Sequence, residues 1–565
     1  MIRRLVSRPT GVFAVVVLGL LLVLAAVSLV WTPQNPFRAD PFHQWEGPSA
    51  AHWFGTDAAG RDIASYLLAG TRTTVLVAVG SGVIASVVGI VLTAIGSLTA
   101  RWVREGTAVL LDILVAFPTL LTAMLLTAVF GGSLGVVIVS VGLSFGVTIA
   151  RVARGEIRRI ARSDYVTAAR ASGVGGAGVL FRHLVPNAAP LFTVQLSLAM
   201  ATAVLAEAGL SYLGYGAGSD TASWGSLLSD LQTYIGVHPW SATWPGAAIA
   251  LVVAALSLLG DAVRDASDPR LTTSDRSADP VTTTPGGDRM TDHAPGPTGA
   301  AGTTHATATS GLEVRGLSVR ITGRTILDDV TFAVPPGQRV GVIGASGSGK
   351  SMTSLALMGL EPTGAVVTGS VRLDGTELVG LPDRERARHR GSGIAMVFQE
   401  PGTALDPLRR VGAQIAEPLR LHRGLDRRAA RAAAVDLAAS VGLPDPESLL
   451  RQYPHQLSGG QRQRICIAMA MAGEPSYLVA DEPTTALDVT TEARILDLFE
   501  RLPAGMVFVT HDLAVLARIA DTAVVLDAGR VVEQGRVADL LAAPQHPATA
   551  ALVDAARATA RRTAP

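Results

Sequence analysis

The sequence contains one cysteine and one lysine in 565 residues. With Cys466 alone, the chain can form no internal disulfide and no cysteine-rich zinc or iron–sulfur site, and we expect Cys466 to be a small core residue on a helix. Every other basic side chain is Arg, so Lys350 is the single compact ammonium group. Charged residues amount to 16% and the formal net charge is +1, which gives no reason to expect a nucleic-acid partner.

Charge is scarcest in the first half of the chain, where apolar runs are long enough to cross a membrane. About twenty apolar residues span a bilayer. The first run is longer than the apolar core of a signal peptide and has no clear small-residue cleavage site, so we expect an uncleaved anchor helix. Pro118 predicts a kink in the third run. The six candidate runs are Gly11–Trp31, Thr74–Leu98, Thr107–Phe130, Leu134–Ala150, Pro190–Gly209 and Pro245–Val263.

The distribution of arginine predicts the orientation of these spans. The segment from Arg151 to Pro186 contains seven arginines, whereas the segment from Ser211 to Thr243 contains neither Lys nor Arg. Loops that are rich in Lys and Arg stay in the cytoplasm. With six spans, this rule places both termini, and everything that follows the last span, in the cytoplasm.

A short segment of the second half matches the phosphate-binding pattern G-x-x-x-x-G-K-[ST]. Its residues are Gly344-Ala345-Ser346-Gly347-Ser348-Gly349-Lys350-Ser351. The apolar run Arg339–Ile343 before it predicts a buried strand, and Met352–Met358 after it predicts the start of a helix. The glycines allow backbone N–H groups to surround phosphates, Lys350 supplies charge to the β- and γ-phosphates, and the Ser351 hydroxyl can ligate Mg²⁺. The segment therefore predicts a nucleoside triphosphate site.

Further polar residues follow buried strands in the same half. Tyr477–Ala480 is an apolar strand that ends at Asp481-Glu482, where one carboxylate can hold Mg²⁺ and the other can activate water. Met506–Val509 is a second apolar strand, closed by Thr510-His511. Upstream of both strands stands the sequence Leu457-Ser458-Gly459-Gly460-Gln461.

These elements, in this order behind one P-loop, resemble those of ATP-binding-cassette (ABC) ATPases over Leu312 to about Ala556. The resemblance implies that Leu457–Gln461 is the signature motif, which faces the γ-phosphate of an ATP bound to a partner ATPase. It implies that two ATP molecules are held between two such domains. It also assigns single residues: Glu482 as catalytic base, Gln399 in contact with Mg²⁺ and the permease, Asp481 at the metal, Asp488 in the D-loop and His511 as the switch histidine.

The segments around these motifs resemble the dipeptide and oligopeptide importers within that family. They are Tyr453–Gln456, Ala480–Thr490 and Pro544–Pro547. One departure is that Val319–Thr325 has no aromatic residue to stack on adenine, a place that Arg320 or Arg324 would take. The resemblance to this group implies a hydrolase that uses ATP and Mg²⁺ to drive transport.

The membrane half resembles importer permeases independently. Tyr165–Gly173, followed by Val185-Pro186-Asn187, is similar to their cytoplasmic coupling loop, although Thr167 stands where many members have Glu. The segment predicts a short amphipathic helix, a glycine turn and a second helix. The residues that carry the coupling-loop resemblance are Ala168, Ala169, Gly173 and Pro186.

The predicted fold is therefore multi-domain. Residues 1–270 form an all-α transmembrane permease domain of six helices, and residues 311–556 form an α/β P-loop ATPase domain with a helical subdomain. Leu271–Ser310, rich in Thr, Ser, Ala, Gly and Pro, predicts a flexible linker between them, and residues 557–565 form a tail.

Together these features predict an ATP-driven peptide importer subunit of the bacterial cell membrane. One permease and one ATPase per chain imply a second copy of each, together with an extracytoplasmic solute-binding protein. Separate partner chains are favoured over a homodimer, and nickel chelates or related solutes are alternative cargoes. An exporter is disfavoured by the short Arg101–Gly106 loop, and a sensor by the lack of a regulatory domain. Glu207 and Asp112, acidic residues within apolar runs, can be functional or structural.

Overall fold

The computed structural model describes residues 9–98, 101–216, 218, 220–267, 311–362, 364–484 and 489–563. The chain divides into two compact units. The helical unit comprises residues 1–160 and 185–271, and the sheet unit comprises residues 161–184 and 272–565. The predicted linker Leu271–Ser310 and the D-loop residue Asp488 lie outside the described residues.

The helical unit is built from apolar helices, which satisfy their backbone hydrogen bonds internally. Within the described residues, five helices are long and apolar enough to cross a membrane, or six if one bent pair counts as a single span. The helices are Pro9–Val30 (α1), Ile63–Leu98 (α2), Arg101–Val115 (α3), Thr119–Phe130 (α4), Leu134–Ala161 (α5), Val185–Tyr212 (α8), Trp224–Gln232 (α9) and Pro239–Ser267 (α10).

The third predicted span is a bent pair. Glu105–Val115 and Thr119–Phe130 meet at 83°. Pro118 is the N-cap of α4, where its ring fixes φ at −60° and its missing N–H cannot continue α3. The kink predicted at Pro118 is therefore confirmed, and it is sharp enough to divide the span into two helices.

The two acidic residues of the apolar runs both have partners. Glu207 on α8 is 2% exposed and accepts hydrogen bonds from the hydroxyls of Ser211 at 2.6 Å and Ser223 at 2.7 Å. Ser223 is also the N-cap of α9, so the Glu207 carboxylate fixes the start of that helix against α8. Asp112 pairs with Arg151 at 3.3 Å, and both side chains are exposed.

The sheet unit contains two sheets. The six-stranded sheet has the order β10-β9-β3-β8-β7-β6, with only the β10–β9 pair antiparallel. This confirms the predicted parallel sheet, whereas the antiparallel sheet β2-β1-β4-β5 had no counterpart in the prediction. The strands are Leu312–Ile321 (β1), Arg324–Val334 (β2), Arg339–Gly344 (β3), Val366–Leu373 (β4), Thr376–Glu377 (β5), Ile394–Val397 (β6), Tyr477–Asp481 (β7), Gly505–Val509 (β8), Thr522–Asp527 (β9) and Arg530–Arg536 (β10).

Helices complete the sheet unit, and those between β6 and β7 form a helical subdomain whose apolar core is continuous with one face of the six-stranded sheet. Cys466 is buried on the helix Gly459–Met471, as expected from its isolation in the sequence. The helices are Lys350–Met358 (α11), Asp383–His389 (α12), Pro401–Ala404 (α13), Val411–His422 (α14), Arg427–Ser440 (α15), Pro446–Leu449 (α16), Gly459–Met471 (α17), Val489–Arg501 (α18), Leu513–Ile519 (α19), Val537–Ala542 (α20) and Pro547–Thr563 (α21).

Residues 161–184 belong to the sheet unit although they lie between two helices of the other unit in sequence. They form the short helices Asp164–Ala171 (α6) and Gly176–Val179 (α7), followed by a π-helical turn, Leu180–Leu184. Gly173 separates α6 from α7 with φ +83°. The predicted order of helix, glycine turn and helix is confirmed, and we call this segment the 161–184 loop. Pro186, predicted with it, lies on α8 in the helical unit.

Candidate functional site

The phosphate-binding segment connects strand β3 to helix α11. Gly347 and Gly349 have φ of +81° and +104°, which L side chains rarely adopt, so the loop needs glycine at both positions. The Lys350 ammonium donates to the carbonyl oxygens of Gly344 at 2.8 Å and Ala345 at 3.0 Å. The loop thus wraps around its own lysine, which holds the positive charge at the start of α11.

Asp481 stands at the end of β7, beside the start of α11. Its side chain is buried, and its Oδ1 atom has no hydrogen-bond partner among the described residues. Burial raises the pKa of Asp481 to about 6; the hydrogen bond with Ser351 opposes this shift, and the charge of Glu482 adds to it. A buried carboxylate oxygen without a partner, next to a serine hydroxyl, suits a divalent cation, so these residues fit Mg²⁺.

Two of the predicted residues, Gln399 and His511, contact the carboxylate of a third, Glu482. Glu482 Oε2 accepts a hydrogen bond from Gln399 Nε2 at 3.0 Å and lies 3.3 Å from His511 Nδ1. Glu482 has φ +45°, and its backbone N–H donates to the carbonyl of Val509 at 2.9 Å. This left-handed turn directly after β7 directs the backbone toward the end of β8, and His511 is the second residue after that strand. The arrangement holds a carboxylate between an amide and an imidazole.

The segment Leu457–Gln461 forms the start of helix α17. Ser458 is the N-cap, and its hydroxyl and backbone N–H exchange hydrogen bonds with Gln461 in a capping box. Leu457 is buried, whereas Ser458 and Gly459 are exposed. Gln463 Nε2 donates to the Pro483 carbonyl at 2.7 Å, which ties α17 to the backbone that follows Glu482.

The two arginines considered for adenine stacking, Arg320 and Arg324, lie at adjoining ends of β1 and β2 and are exposed. They pair with Thr325 and Ile321, respectively, in the antiparallel register. Their stacking role stays a prediction.

The 161–184 loop packs into two apolar cores through small side chains. Ala168 belongs to the apolar core that the helical subdomain shares with the six-stranded sheet, and Ala171 belongs to the core formed by residues of both sheets. Ala169 is also buried. α6 therefore contributes buried side chains to two cores at once.

The turn after α6 contacts the sheet unit closely. His422 Nε2 lies 2.8 Å from the Ser172 carbonyl, to which it donates. A Cβ atom on Gly173 would lie 2.7 Å from the Arg390 carbonyl oxygen. The fully buried Arg390 side chain in turn donates to the carbonyls of Met358 at 2.8 Å and Gly359 at 2.9 Å, at the end of the P-loop helix. A short chain of contacts therefore runs from Gly173 to α11.

A buried ionic cluster holds the end of the same loop. His183 Nδ1 lies 3.0 Å from Asp406 Oδ2, and its Nε2 lies 3.4 Å from Glu417 Oε2. Arg409 contacts Glu417 and, at 3.0 Å, His183 Nε2, while Arg182 pairs with Glu417 at 2.9 Å. Burial raises the pKa of Glu417, but hydrogen bonding with His183 and the charge of Arg409 outweigh it and lower the pKa to about 2.

Sequence reasoning missed this cluster. Arg182 counted only toward the arginine-rich segment, and His183 stood next to it without a recognisable motif. Asp406 and Glu417 lie more than 220 residues further along the chain, since the His183–Asp406 contact has a separation of 223. The available signal was the Arg182-His183 pair just before an apolar run, where polar side chains need partners.

Comparison with known proteins gives two family matches in one chain. The family described as "ABC transporter" matches residues 327–485. The family described as "Binding-protein-dependent transport system inner membrane component" matches residues 85–273.

Individual relatives match the second half of the chain. A peptide import ATP-binding protein of Brucella abortus (strain 2308) is 48% identical over 43% of this chain and 76% of that protein. The dipeptide transport ATP-binding protein DppD of Haemophilus influenzae is 43% identical over 43% of this chain and 76% of that protein. The oligopeptide transport ATP-binding protein OppD of Mycobacterium tuberculosis is 48% identical over 43% of this chain and 41% of that protein.

A solved structure is also similar. It is a dimeric ATP-binding cassette bound to ADP and phosphate, 30% identical, with 40% of this chain and 98% of that chain covered and a TM-score of 0.37.

Proposed function

We propose that the chain, which belongs to the ABC transporter family and also contains a binding-protein-dependent inner membrane component, imports peptides across a bacterial cell membrane. It is a multi-pass membrane protein that hydrolyses ATP as part of a multi-component transporter. Relatives of the ATPase half are named for the transport of peptides, dipeptides and oligopeptides, which supports the choice of cargo. The observation that carries the proposal is the packing of the 161–184 loop within the same compact unit as the ATPase motifs.

The P-loop binds the ATP phosphates. Backbone N–H groups of Gly344–Ser351 surround the β- and γ-phosphates, and the Lys350 ammonium exchanges its two carbonyl partners for phosphate oxygens. Ser351, Asp481 and Gln399 are the residues that would hold Mg²⁺, which neutralises phosphate charge when it is bound. The unpartnered Oδ1 atom of Asp481 supports this assignment.

Glu482 acts as the general base. Its carboxylate accepts a proton from the water that attacks the γ-phosphate, and Gln399 and His511 hold that carboxylate in position through their contacts at 3.0 Å and 3.3 Å. His511 is largely exposed, so its imidazole is free to reach the γ-phosphate when a partner domain closes over it.

A second ATPase domain completes the site. The exposed Ser458 and Gly459 at the positive end of α17 suit the γ-phosphate of an ATP held by the partner. A partner permease and an extracytoplasmic solute-binding protein complete the proposed transporter, and the name of the matched membrane family supports the binding protein. Asp488 would join the two ATPases at their interface.

The 161–184 loop transmits closure of the ATPases to the permease. Its two contact points, the Gly173 turn and the His183 cluster, move with the sheet unit, and the chain continues directly from Leu184 into α8. The seven arginines between Arg151 and Pro186 support a cytoplasmic location for the ATPase and both termini. The permease domain spans residues 1–270 and the ATPase domain residues 311–556, joined by the linker 271–310 and followed by the tail 557–565.

Reconstitution tests this function directly. The chain, a second permease and a second ATPase are placed in proteoliposomes with the binding protein, and uptake of a radiolabelled tripeptide is measured with and without ATP. We expect uptake only with all components and ATP, and none with Glu482→Gln. Tripeptide uptake by the chain without a binding protein, or without ATP, would contradict importer function.

A further inference from the structure

An arginine-lined groove lies on the surface of the helical subdomain. It is formed by α14, α15 and α16 and encloses a volume of about 1150 Å³, open to solvent. Besides Arg182 and Arg409, which contact Glu417, six exposed arginines line it: Arg410, Arg420, Arg427, Arg428, Arg431 and Arg451. Four of them lie close in sequence between Arg420 and Arg431, on α14 and α15, and the fold adds Arg410 and Arg451 from the turns beside α14 and α16.

The groove carries a large excess of positive charge. Its two carboxylates are Glu417 and Glu447, and Glu417 is already held by Arg182 and Arg409. Among the described residues, no carboxylate lies within ion-pair distance of the six exposed arginines, and Glu447 forms no ion pair either. Like charges at this density repel one another, so an anion in the groove lowers the electrostatic energy of the folded protein.

The shape and lining of the groove narrow the ligand class. Apolar side chains, including Leu425, Val435 and Leu450, line it together with the guanidinium groups, so it offers contacts to an apolar moiety as well as to charge. A phosphoryl group carries close to two negative charges and three acceptor oxygens in a small volume. Guanidinium groups bind phosphate through paired hydrogen bonds. Several phosphoryl groups would satisfy six arginines within this volume better than the same number of carboxylates.

We propose that this groove binds a phosphorylated polyanion, presented either by a lipid headgroup or by a soluble polyphosphate. The wall of the groove includes Arg182 and Arg409, the two arginines that hold Glu417 beside His183. A bound polyanion competes with Glu417 for these guanidiniums and so loosens the buried contact of the 161–184 loop. Binding of the polyanion does not depend on the proposed transport function, whereas this effect on coupling rests on it.

The test measures binding of inorganic tripolyphosphate to the full chain in phosphatidylcholine nanodiscs by calorimetry. Arg428→Gln/Arg431→Gln removes two groove charges on α15, and Arg410→Gln/Arg451→Gln removes two at the turns beside α14 and α16. Arg384→Gln/Arg388→Gln removes two exposed charges on α12, outside the groove, and is the matched control. Weak binding at the P-loop is common to all variants, because none of these arginines touches it.

We expect each groove variant to bind tripolyphosphate on the order of 10- to 100-fold more weakly than the wild type, with the control unchanged. Equal affinity in the wild type and both groove variants would overturn the proposal, as would equally tight binding of polyglutamate. Nanodiscs that contain phosphatidic acid distinguish the source. If the ligand is a lipid headgroup, phosphatidic acid competes for the groove, and the apparent affinity of the wild type for tripolyphosphate is lower in those discs. If the ligand is soluble, the affinity is the same in both kinds of disc. Either result supports a phosphate-binding site in the groove.

Discussion

The His183 imidazole and the Asp406 carboxylate form a contact of 3.0 Å between two buried side chains. It joins the 161–184 loop to the helical subdomain at a point where Glu417, Arg409 and Arg182 also meet. Burial lowers the pKa of His183, but hydrogen bonding with Asp406 and Glu417 outweighs it and raises the pKa. Both buried carboxylates therefore have a hydrogen-bond donor in the imidazole, and Glu417 also pairs with two guanidiniums, so neither buried charge is left without a partner. Apolar packing of Ala168 and Ala171 holds the 161–184 loop against the rest of the sheet unit, and this cluster fixes the position of the loop.

Removal of the His183 side chain should uncouple transport from hydrolysis. In His183→Ala the buried Asp406 loses a hydrogen bond, which costs about 1–3 kcal/mol at this contact. We expect peptide uptake to fall at least tenfold while ATP hydrolysis continues, and His183→Asn, which keeps a donor, to recover part of the uptake. Both activities are measured in the same proteoliposomes. His389→Ala on α12 is the control; a parallel loss of hydrolysis in His183→Ala would show that the contact only supports the fold.

Replacement of Glu482 by Gln should stop hydrolysis and leave nucleotide binding intact. The amide keeps the hydrogen-bonding shape next to Gln399 and His511 but cannot accept a proton, and loss of a general base costs about 10²- to 10⁴-fold in rate. Phosphate release and ATP affinity are measured on the assembled complex. Glu474→Gln, at a largely exposed carboxylate, is the control. A steady rate near that of the wild type would reject Glu482 as the base.

Elements with a local signal were predictable from the sequence. The P-loop is contiguous, so its strand, glycine turn and helix start are all encoded between Arg339 and Met358. Pro118 predicted the kink in the third span, because a missing N–H acts on its own helix. The glycine turn at Gly173 was likewise visible between two short helices.

Elements that depend on distant partners were not predictable. His183 and Asp406 are 223 residues apart, and neither belongs to a motif. His422 donates to the Ser172 carbonyl across 250 residues, so nothing near it in the sequence shows what it contacts. The antiparallel sheet was missed for a similar reason, because β1 pairs with β4 as well as with its neighbour β2.

Gly173 should tolerate no side chain. Its φ of +83° is unfavourable for other residues by about 1–2 kcal/mol, and a Cβ would lie 2.7 Å from the Arg390 carbonyl. Gly173→Ala should therefore displace the loop, and with it the Arg390 cap of the P-loop helix, so that uptake falls more than hydrolysis. Gly175→Ala is the matched control, since a Cβ there meets no atom within 4 Å. Equal uptake by both variants would exclude a close contact at Gly173.

The Glu417 carboxylate should make stability depend on pH in acid. Its pKa is lowered from 4.5 to about 2 in the folded protein, so its contribution is fully present above about 4.5 and is lost as the pH falls toward 2. The lowered pKa corresponds to stabilisation on the order of 3 kcal/mol. Glu417→Gln should show a flatter decline of unfolding free energy below pH 4.5 than the wild type. Denaturant titrations at several pH values measure the unfolding free energy, with Glu447→Gln as the control. Parallel pH dependences for the wild type and Glu417→Gln would contradict a lowered pKa of Glu417.

Glu207 should support the fold of the helical unit through its hydrogen bonds and not through its negative charge. Both serine hydroxyls donate to the same oxygen, Oε1, at 2.6 Å and 2.7 Å, and a glutamine retains that acceptor. We expect Glu207→Gln to keep peptide uptake and thermal stability close to those of the wild type. Glu207→Leu leaves the hydroxyls of Ser211 and Ser223 without their acceptor and should cost about 1–3 kcal/mol. Glu46→Gln, an exposed carboxylate of the same unit, is the control. Loss of uptake in a stable Glu207→Gln protein would instead assign the negative charge a part in transport.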